Sequence, residues 1–512
     1  MMFSYIRRAL GFLVGVALTA TLFSHSTHCF AQKTEPKPAS SVTYLPARST
    51  PLVALRLVFR VGSQDDPKGK EGLASLTAAM VAQGGSKSLT YEQMLEKFYP
   101  MATGLSGDCH KEVTVFAGEV HRDNLAKFVP LVASLLTTPR FSSDDFERLR
   151  NEAIDYLSKN LRGGNDEELG KWTLQLALYK NHPYGHVDAG TVVGLNSVTL
   201  DDVKAFHRDH YTREALILGV AGSADRKMLE EIQSELASLP SHAIEPVTHP
   251  KPERPEGLDV TIVEKPAAST AISIGFAIDV TRRDDDFYAL LVANSYLGEH
   301  RTFNGKLMQD LRGKRGLNYG DYSYLEDFIQ DGPSTFPVPN NPRRQQAFTI
   351  WIRPVPDDKA AFALRAALWE VDRLTKEGMS VRDFETTRAY LLNYSTLWVQ
   401  TITRRLGYAM DGAFYNSGDL VLEMARRLPK LTVDEVNSAI RRHLLSQGAR
   451  VAIVTKDAAG LAKVLKSDSP SPITYDTQGT SESILTEDKA IAVFPLKNLS
   501  VKIVPVGEMF EK

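Results

Sequence analysis

Gly72-Leu73-Ala74-Ser75-Leu76-Thr77-Ala78-Ala79-Met80 follows Gly62-Ser63-Gln64-Asp65-Asp66-Pro67 and precedes Gln83-Gly84-Gly85. The stretch reads as a helix on which Ser75, Ala78 and Ala79 stand at i, i+3 and i+4, and so share one face. That face offers a hydroxyl and two methyls, with no imidazole and no general base. Further along, Leu311-Arg312-Gly313-Lys314-Arg315-Gly316-Leu317-Asn318-Tyr319 places a guanidinium and a phenol seven residues apart at Arg312 and Tyr319. Both groups can hydrogen-bond peptide carbonyls and stabilise an oxyanion. Taken alone, R-x6-Y is a weak pattern that ordinary surface residues also produce, and Arg315 competes for the role of the cation.

The two stretches together resemble the inverted-zincin (pitrilysin or insulinase-like, M16) family, whose helix carries H-x-x-E-H: two His to hold zinc and a Glu to activate water. By that resemblance the three catalytic positions are Ser75, Ala78 and Ala79. The family's last ligand, a Glu roughly 77 residues beyond the second His, falls on Tyr156. Asp155 is adjacent, so a one-residue slip leaves one carboxylate, still far short of the three protein ligands a catalytic zinc needs. No metal is therefore expected in this chain, and zinc is expected in a partner.

Family members pair two homologous α+β halves, and two such pairs enclose a chamber around the substrate. In two-chain members one subunit carries H-x-x-E-H and the other the Arg/Tyr pair. The resemblance implies a non-catalytic, substrate-binding subunit of a heterodimeric zinc metallopeptidase, inactive alone, that lends Arg312 and Tyr319 to a homologous partner with an intact H-x-x-E-H. Its substrates are expected to be peptides. A peptide-binding, chaperone-like protein or a structural core subunit is the alternative.

The opening residues bound the compartment. Arg7 and Arg8 precede an apolar run from Ala9 to Phe23, and Cys29-Phe30-Ala31 ends on a small residue, as at a signal-peptide cleavage site. The run is too short for a confident membrane span, so a periplasmic or secreted chain without a stable anchor is expected. Cys29 and Cys109 are the only cysteines, and cleavage after Ala31 leaves Cys109 unable to form an internal disulfide. With 512 residues, 43% of them hydrophobic, the chain can build two or more cores. A formal net charge of -2 gives no footprint for nucleic acid.

Two halves are legible. In the first, Val53, Leu55, Leu57, Phe59 and Val61 line one face of a strand with Arg56 and Arg60 on the other, and a second strand is expected at 112–117. Prolines 246, 250, 252 and 255 then mark a linker. Beyond it the pattern restarts with a strand at 271–278 and a helix at 287–292. Thr199-Leu200-Asp201-Asp202-Val203 recurs as Thr432-Val433-Asp434-Glu435-Val436, and Phe141-Ser142 to Glu147 as Met379-Ser380 to Glu385, at similar offsets of about 235 residues.

The expected fold is α+β, with two homologous pitrilysin-like halves, each an antiparallel-rich sheet with packed helices. The expected bounds are a signal peptide at 1–31, a mature N-terminal linker at 32–42, halves at 43–240 and 259–467, a linker at 241–258, and an extension at 468–512. That extension has apolar runs at 490–496 and 501–506, which either dock as edge strands or wrap a partner. The pairs His182/His186 and His207/His210 have metal-ligand spacing but no fixed third ligand. Gly298-Glu299-His300-Arg301-Thr302-Phe303-Asn304-Gly305 reads as a turn or cavity lining rather than a catalytic cluster.

Overall fold

The computed structural model describes residues 41–330, 332–475 and 479–512. The signal peptide at 1–31 lies outside the described residues, as does the linker up to residue 40. Ser41 and Val42, assigned to the linker, already belong to β1 (Ser41–Pro46). The first sheet adds β2 (Leu52–Phe59), β3 (Ser106–Cys109), β4 (Thr114–His121) and β5 (Leu216–Gly222), in the order β1-β5-β2-β4-β3. The strand expected at 112–117 begins two residues later, because Lys111 and Glu112 turn inward as buried ion-pair partners.

A second sheet repeats this plan. β6 (Asp259–Glu264), β7 (Thr270–Ile278), β8 (Asp321–Tyr324), β9 (Gln346–Val355) and β10 (Arg450–Thr455) run in the order β6-β10-β7-β9-β8, with β11 (Ser500–Pro505) added outside β6. In each sheet the first strand pairs parallel with the last of its half, β1 with β5 and β6 with β10, and the inner pairs are antiparallel. The repeated sequences become repeated helix starts. Thr199 and Thr432 each form a capping box, with Asp202 and Glu435 respectively, while Ser142 and Ser380 accept from the backbone N–H three residues on. Such caps contribute about 1 kcal/mol each. The chain is thus two homologous α+β halves.

The halves exchange helices, so the face of β2 that carries Arg56 is covered as well. Ala54 and Val58 pack with Ile217 and Ala221 beneath Leu406 and Met410, which come from the Ile402–Tyr415 helix of the second half. Arg56 is enclosed on that face, and burial lowers its pKa against the pull of Asp411 and Asp108. Helix and sheet come so close that a Cβ on Gly219 would lie 2.2 Å from the Met410 sulfur. Reciprocally, the Asp166–Leu178 helix of the first half covers β7 and β10 of the second, burying Leu174 and Leu178 with Ala347 and Ala452.

The C-terminal extension docks on its own chain. Ala490, Ile491 and Ala492 finish a helix, Glu482–Ala492, rather than an edge strand, because Arg315 and Arg373 hold its Glu487 and Asp488 against the second half. β11 then covers the edge of β6, and the tail crosses to the first half. There Met509 and Phe510 join the core, and the Val192 and Val193 N–H groups donate to the Phe510 and Glu511 carbonyls at 3.0 Å. Among the described residues no helix is long and apolar enough to cross a membrane.

Candidate functional site

The Leu73–Gln83 helix is held by residues of the loop before it. Asp66 accepts from the N–H groups of Gly72 and Ala74, both at 2.7 Å, and its carboxylate lies 3.0 Å from His186 Nε2. Asp65 accepts from Gly62 N–H, and burial raises its carboxyl to about 7. The sequence around the helix is therefore structural: it fixes the helix start whether or not the helix carries chemistry. On the helix, Ala78 is 1% exposed within the core, while Ser75 and Ala79 are half-buried.

These positions do not fit zinc. Tyr156 opens a π-helical stretch, Tyr156–Gly164, and its phenol stands where the third protein ligand, a carboxylate, is needed. Asp155 offers no rescue, since it is exposed and pairs with Lys159 at 2.7 Å. The histidine pairs make other contacts: His207 Nε2 lies 2.8 Å from the Leu136 carbonyl, the His210 ring lies tilted against Phe206, and His182 accepts from Tyr184 N–H, while His182 Nε2 and His210 Nδ1 have no hydrogen-bond partner among the described residues. Among the described residues no group of three His, Cys, Asp or Glu is arranged to hold a metal. The Cys109 thiol is raised well above its ordinary range by burial and by Asp188 and Asp66, which leaves it unreactive.

Tyr156 lines a cavity of about 370 Å³ between the halves, with Lys171, Trp172, Phe328 and Trp351. Asp188 also borders it; burial alone would raise this carboxyl, but Lys111 and Arg343 bring it down to about 2. Lys171 Nζ sits 3.6 Å from the Trp351 ring centroid. A larger cavity of about 810 Å³ lies among the Asp166–Leu178 helix, the linker and the C-terminal tail, and it contains none of the expected site residues.

Arg312 and Arg315, three residues apart, have opposite fates. Arg315 is buried, with its guanidinium 2.7 Å from both Glu487 and Asp488 and donating to the Asp310 carbonyl. Arg312 lies on a π-helical turn, Met308–Gly313, between the rings of Phe303 and Tyr319, with centroids 5.3 and 4.8 Å away. Its one hydrogen-bond acceptor among the described residues is the weak Met308 sulfur at 3.9 Å. Phe303 and Tyr319 are 68% and 69% exposed. Arg353 lies against Tyr319 and pairs with Glu167 at 3.0 Å.

Arg312 and Tyr319 are thus brought together, while among the described residues no hydrogen bond or ring contact joins them to Ser75, Ala78, Ala79 or Tyr156. Sequence reasoning missed Phe303 and Arg353. The only available signal was an aromatic residue in a glycine-flanked turn and an Arg alternating with Trp351 along β9.

Residues 42–185 match the family described as Insulinase (Peptidase family M16), and residues 197–391 the one described as Peptidase M16 inactive domain. The chain belongs to the M16 peptidase family. It is 24% identical over 348 residues to an uncharacterized zinc protease of Mycobacterium tuberculosis, covering 67% of this chain and 75% of that one. Over 421 residues it is 21% identical to a non-peptidase homolog of Helicobacter pylori, covering 79% of this chain and 89% of that one. In fold it is similar to a peptidase M16 inactive domain from Pseudomonas fluorescens, with a TM-score of 0.70, 24% identity, and coverage of 81% of this chain and 94% of that one.

Proposed function

We propose that this chain is the non-catalytic, substrate-binding subunit of a periplasmic or secreted two-chain zinc metallopeptidase. A homologous partner with an intact H-x-x-E-H holds the zinc, and this subunit supplies Arg312 and Tyr319 to the partner's site. The observation that carries the reading is the state of Arg312. A buried arginine with carboxylate partners, such as Arg315, serves architecture. Arg312 instead keeps its N–H donors free of any described oxygen while two exposed rings hold it in place. Such a guanidinium is prepared for an acceptor that another molecule brings.

The test is steady-state kinetics of the reconstituted pair. Arg312→Ala and Tyr319→Phe are expected to lower kcat by about 10²-fold if the groups meet the developing oxyanion, or to raise KM if they hold a ground-state carbonyl. Arg315→Ala is expected instead to cost about 3–5 kcal/mol of stability, because it takes the cation from the buried Asp488, while Glu487 keeps Arg373. If Arg312→Ala and Tyr319→Phe leave both constants unchanged, the chain is a structural or chaperone-like subunit. Chelator-sensitive peptide hydrolysis by the pure chain alone would overturn the reading altogether.

A further inference from the structure

The turn before the Arg312 helix presents a second unpartnered cation. Arg301 has φ 55° in the turn closed by Thr302 N–H donating to the Glu299 carbonyl at 3.0 Å. The left-handed region favours glycine or asparagine, and a side chain as large as Arg is strained there. Among the described residues Arg301 makes no ion pair and no side-chain hydrogen bond. It stands two residues before Phe303, whose ring lies 5.3 Å from the Arg312 guanidinium, and both arginines act on Tyr322. Burial raises the Tyr322 phenol, and Arg353, Arg301 and Arg312 all act to lower it. Burial, then Arg301, Lys171 and Arg353 together, bring the His300 imidazole down to about 3, so it adds no charge.

The anions here do not balance these cations. Arg353 is matched by Glu167 and Lys171 by Glu168. Two carboxyls remain: burial raises Glu299, in the same turn as Arg301, to about 7 and Asp321 to about 8, and the Asp321 Oδ2 has no partner, so neither is fully ionised at neutral pH. Four cations therefore face two ion-paired carboxylates, and among the described residues neither Arg301 nor Arg312 has an ion-pair partner, while the Phe303 and Tyr319 rings against Arg312 are exposed.

We propose that Arg301 and Arg312 together receive a carboxylate of the bound peptide, so that this subunit prefers acidic segments. The proposal rests on the peptide-binding reading of Arg312 and Tyr319 and adds the substrate class. A planar guanidinium pair matches the fork of a carboxylate, and the rings flanking Arg312 take the neighbouring side chain. The carboxylate comes either from Asp or Glu side chains or from a free C-terminus.

Fluorescence anisotropy with the full mature chain separates these sources. Four labelled short peptides differ only in charge: Gln with an amidated end, Gln with a free end, Glu with an amidated end, and Lys with an amidated end. The Glu peptide is expected to bind roughly tenfold tighter than the amidated Gln peptide at about 0.05 M salt, and the ratio should fall towards twofold at about 0.5 M. Arg301→Gln should shrink that ratio to about twofold at low salt, and Arg301→Lys, which keeps the charge, should restore most of it. A gain from the free end without a gain from Glu assigns the site to the terminal carboxylate. Equal binding of all four peptides overturns the acidic preference while leaving the peptide-binding reading intact. A preference that survives Arg301→Gln also overturns the proposal, and binding of none removes both.

Discussion

Asp321 shows how one buried carboxyl couples this surface to pH. Burial raises it to about 8 against the pull of Asn318, which donates at 2.7 Å, and of Arg312. In the unfolded chain such a group titrates near about 3.9. Between those values the folded chain keeps a proton that the unfolded chain releases, so this residue's contribution is most favourable below about pH 4 and is lost as pH rises through about 8. Asp321→Asn keeps the shape and removes the titration. The stability of the variant relative to the wild type should therefore rise between about pH 5 and pH 8 by on the order of a few kcal/mol, read from urea unfolding at each pH. An unchanged difference would mean that Asp321 is ionised in the fold. Asp65 and Glu299, each raised to about 7 by burial, tilt the stability of the whole chain in the same direction.

The Leu73–Gln83 helix combines a well-held start with a face that lacks metal donors. Asp66 caps its first turn, and His186 braces Asp66. Its centre is packed, with Ala78 in the core beside Leu76 and Met80. Introducing the ligands by Ser75→His, Ala78→Glu, Ala79→His and Tyr156→Glu should give at most weak zinc binding by calorimetric titration, since tight binding also needs outer partners that orient the new ligands. Ala78→Glu alone should destabilise the chain by about 1–3 kcal/mol in a denaturant series, because it overfills the core and buries a carboxylate. Tight zinc binding by the fourfold variant would show that the helix surroundings still suit a metal.

In the whole molecule, the exchanged helices and the C-terminal tail replace the covalent linker as the tie between halves. Residues 241–258 carry no helix or strand and are largely exposed. Each sheet is covered by a helix of the other half, and Met509 and Phe510 seat the tail of the second half in the core of the first. Cutting the chain within 241–258, through an inserted protease site, should leave both fragments co-eluting as one species on size exclusion. Separate elution would mean that the linker holds the halves together. The same body carries Tyr319 and Phe303 exposed on either side of Arg312, which is what the proposed role on another chain's substrate requires.

The sequence by itself determined which groups are absent and how the chain repeats. Ser75, Ala78, Ala79 and Tyr156 supply no imidazole and no carboxylate whatever surrounds them, because donor atoms are a property of the residue. The Thr199 and Thr432 caps, the 271–278 strand and the proline linker were legible because each rests on neighbours only a few residues away. The tertiary structure alone decided which polar groups are paired. Arg312 and Arg315 look alike in a nine-residue motif, yet Arg315 meets an acid 173 residues further along the chain and Arg312 meets only rings and a sulfur. The buried second face of β2, the tail crossing to the first half, and the raised Asp321 carboxyl within reach of Arg312 have the same origin. Burial and charge balance are set by partners distant in sequence, and local pattern holds no record of them.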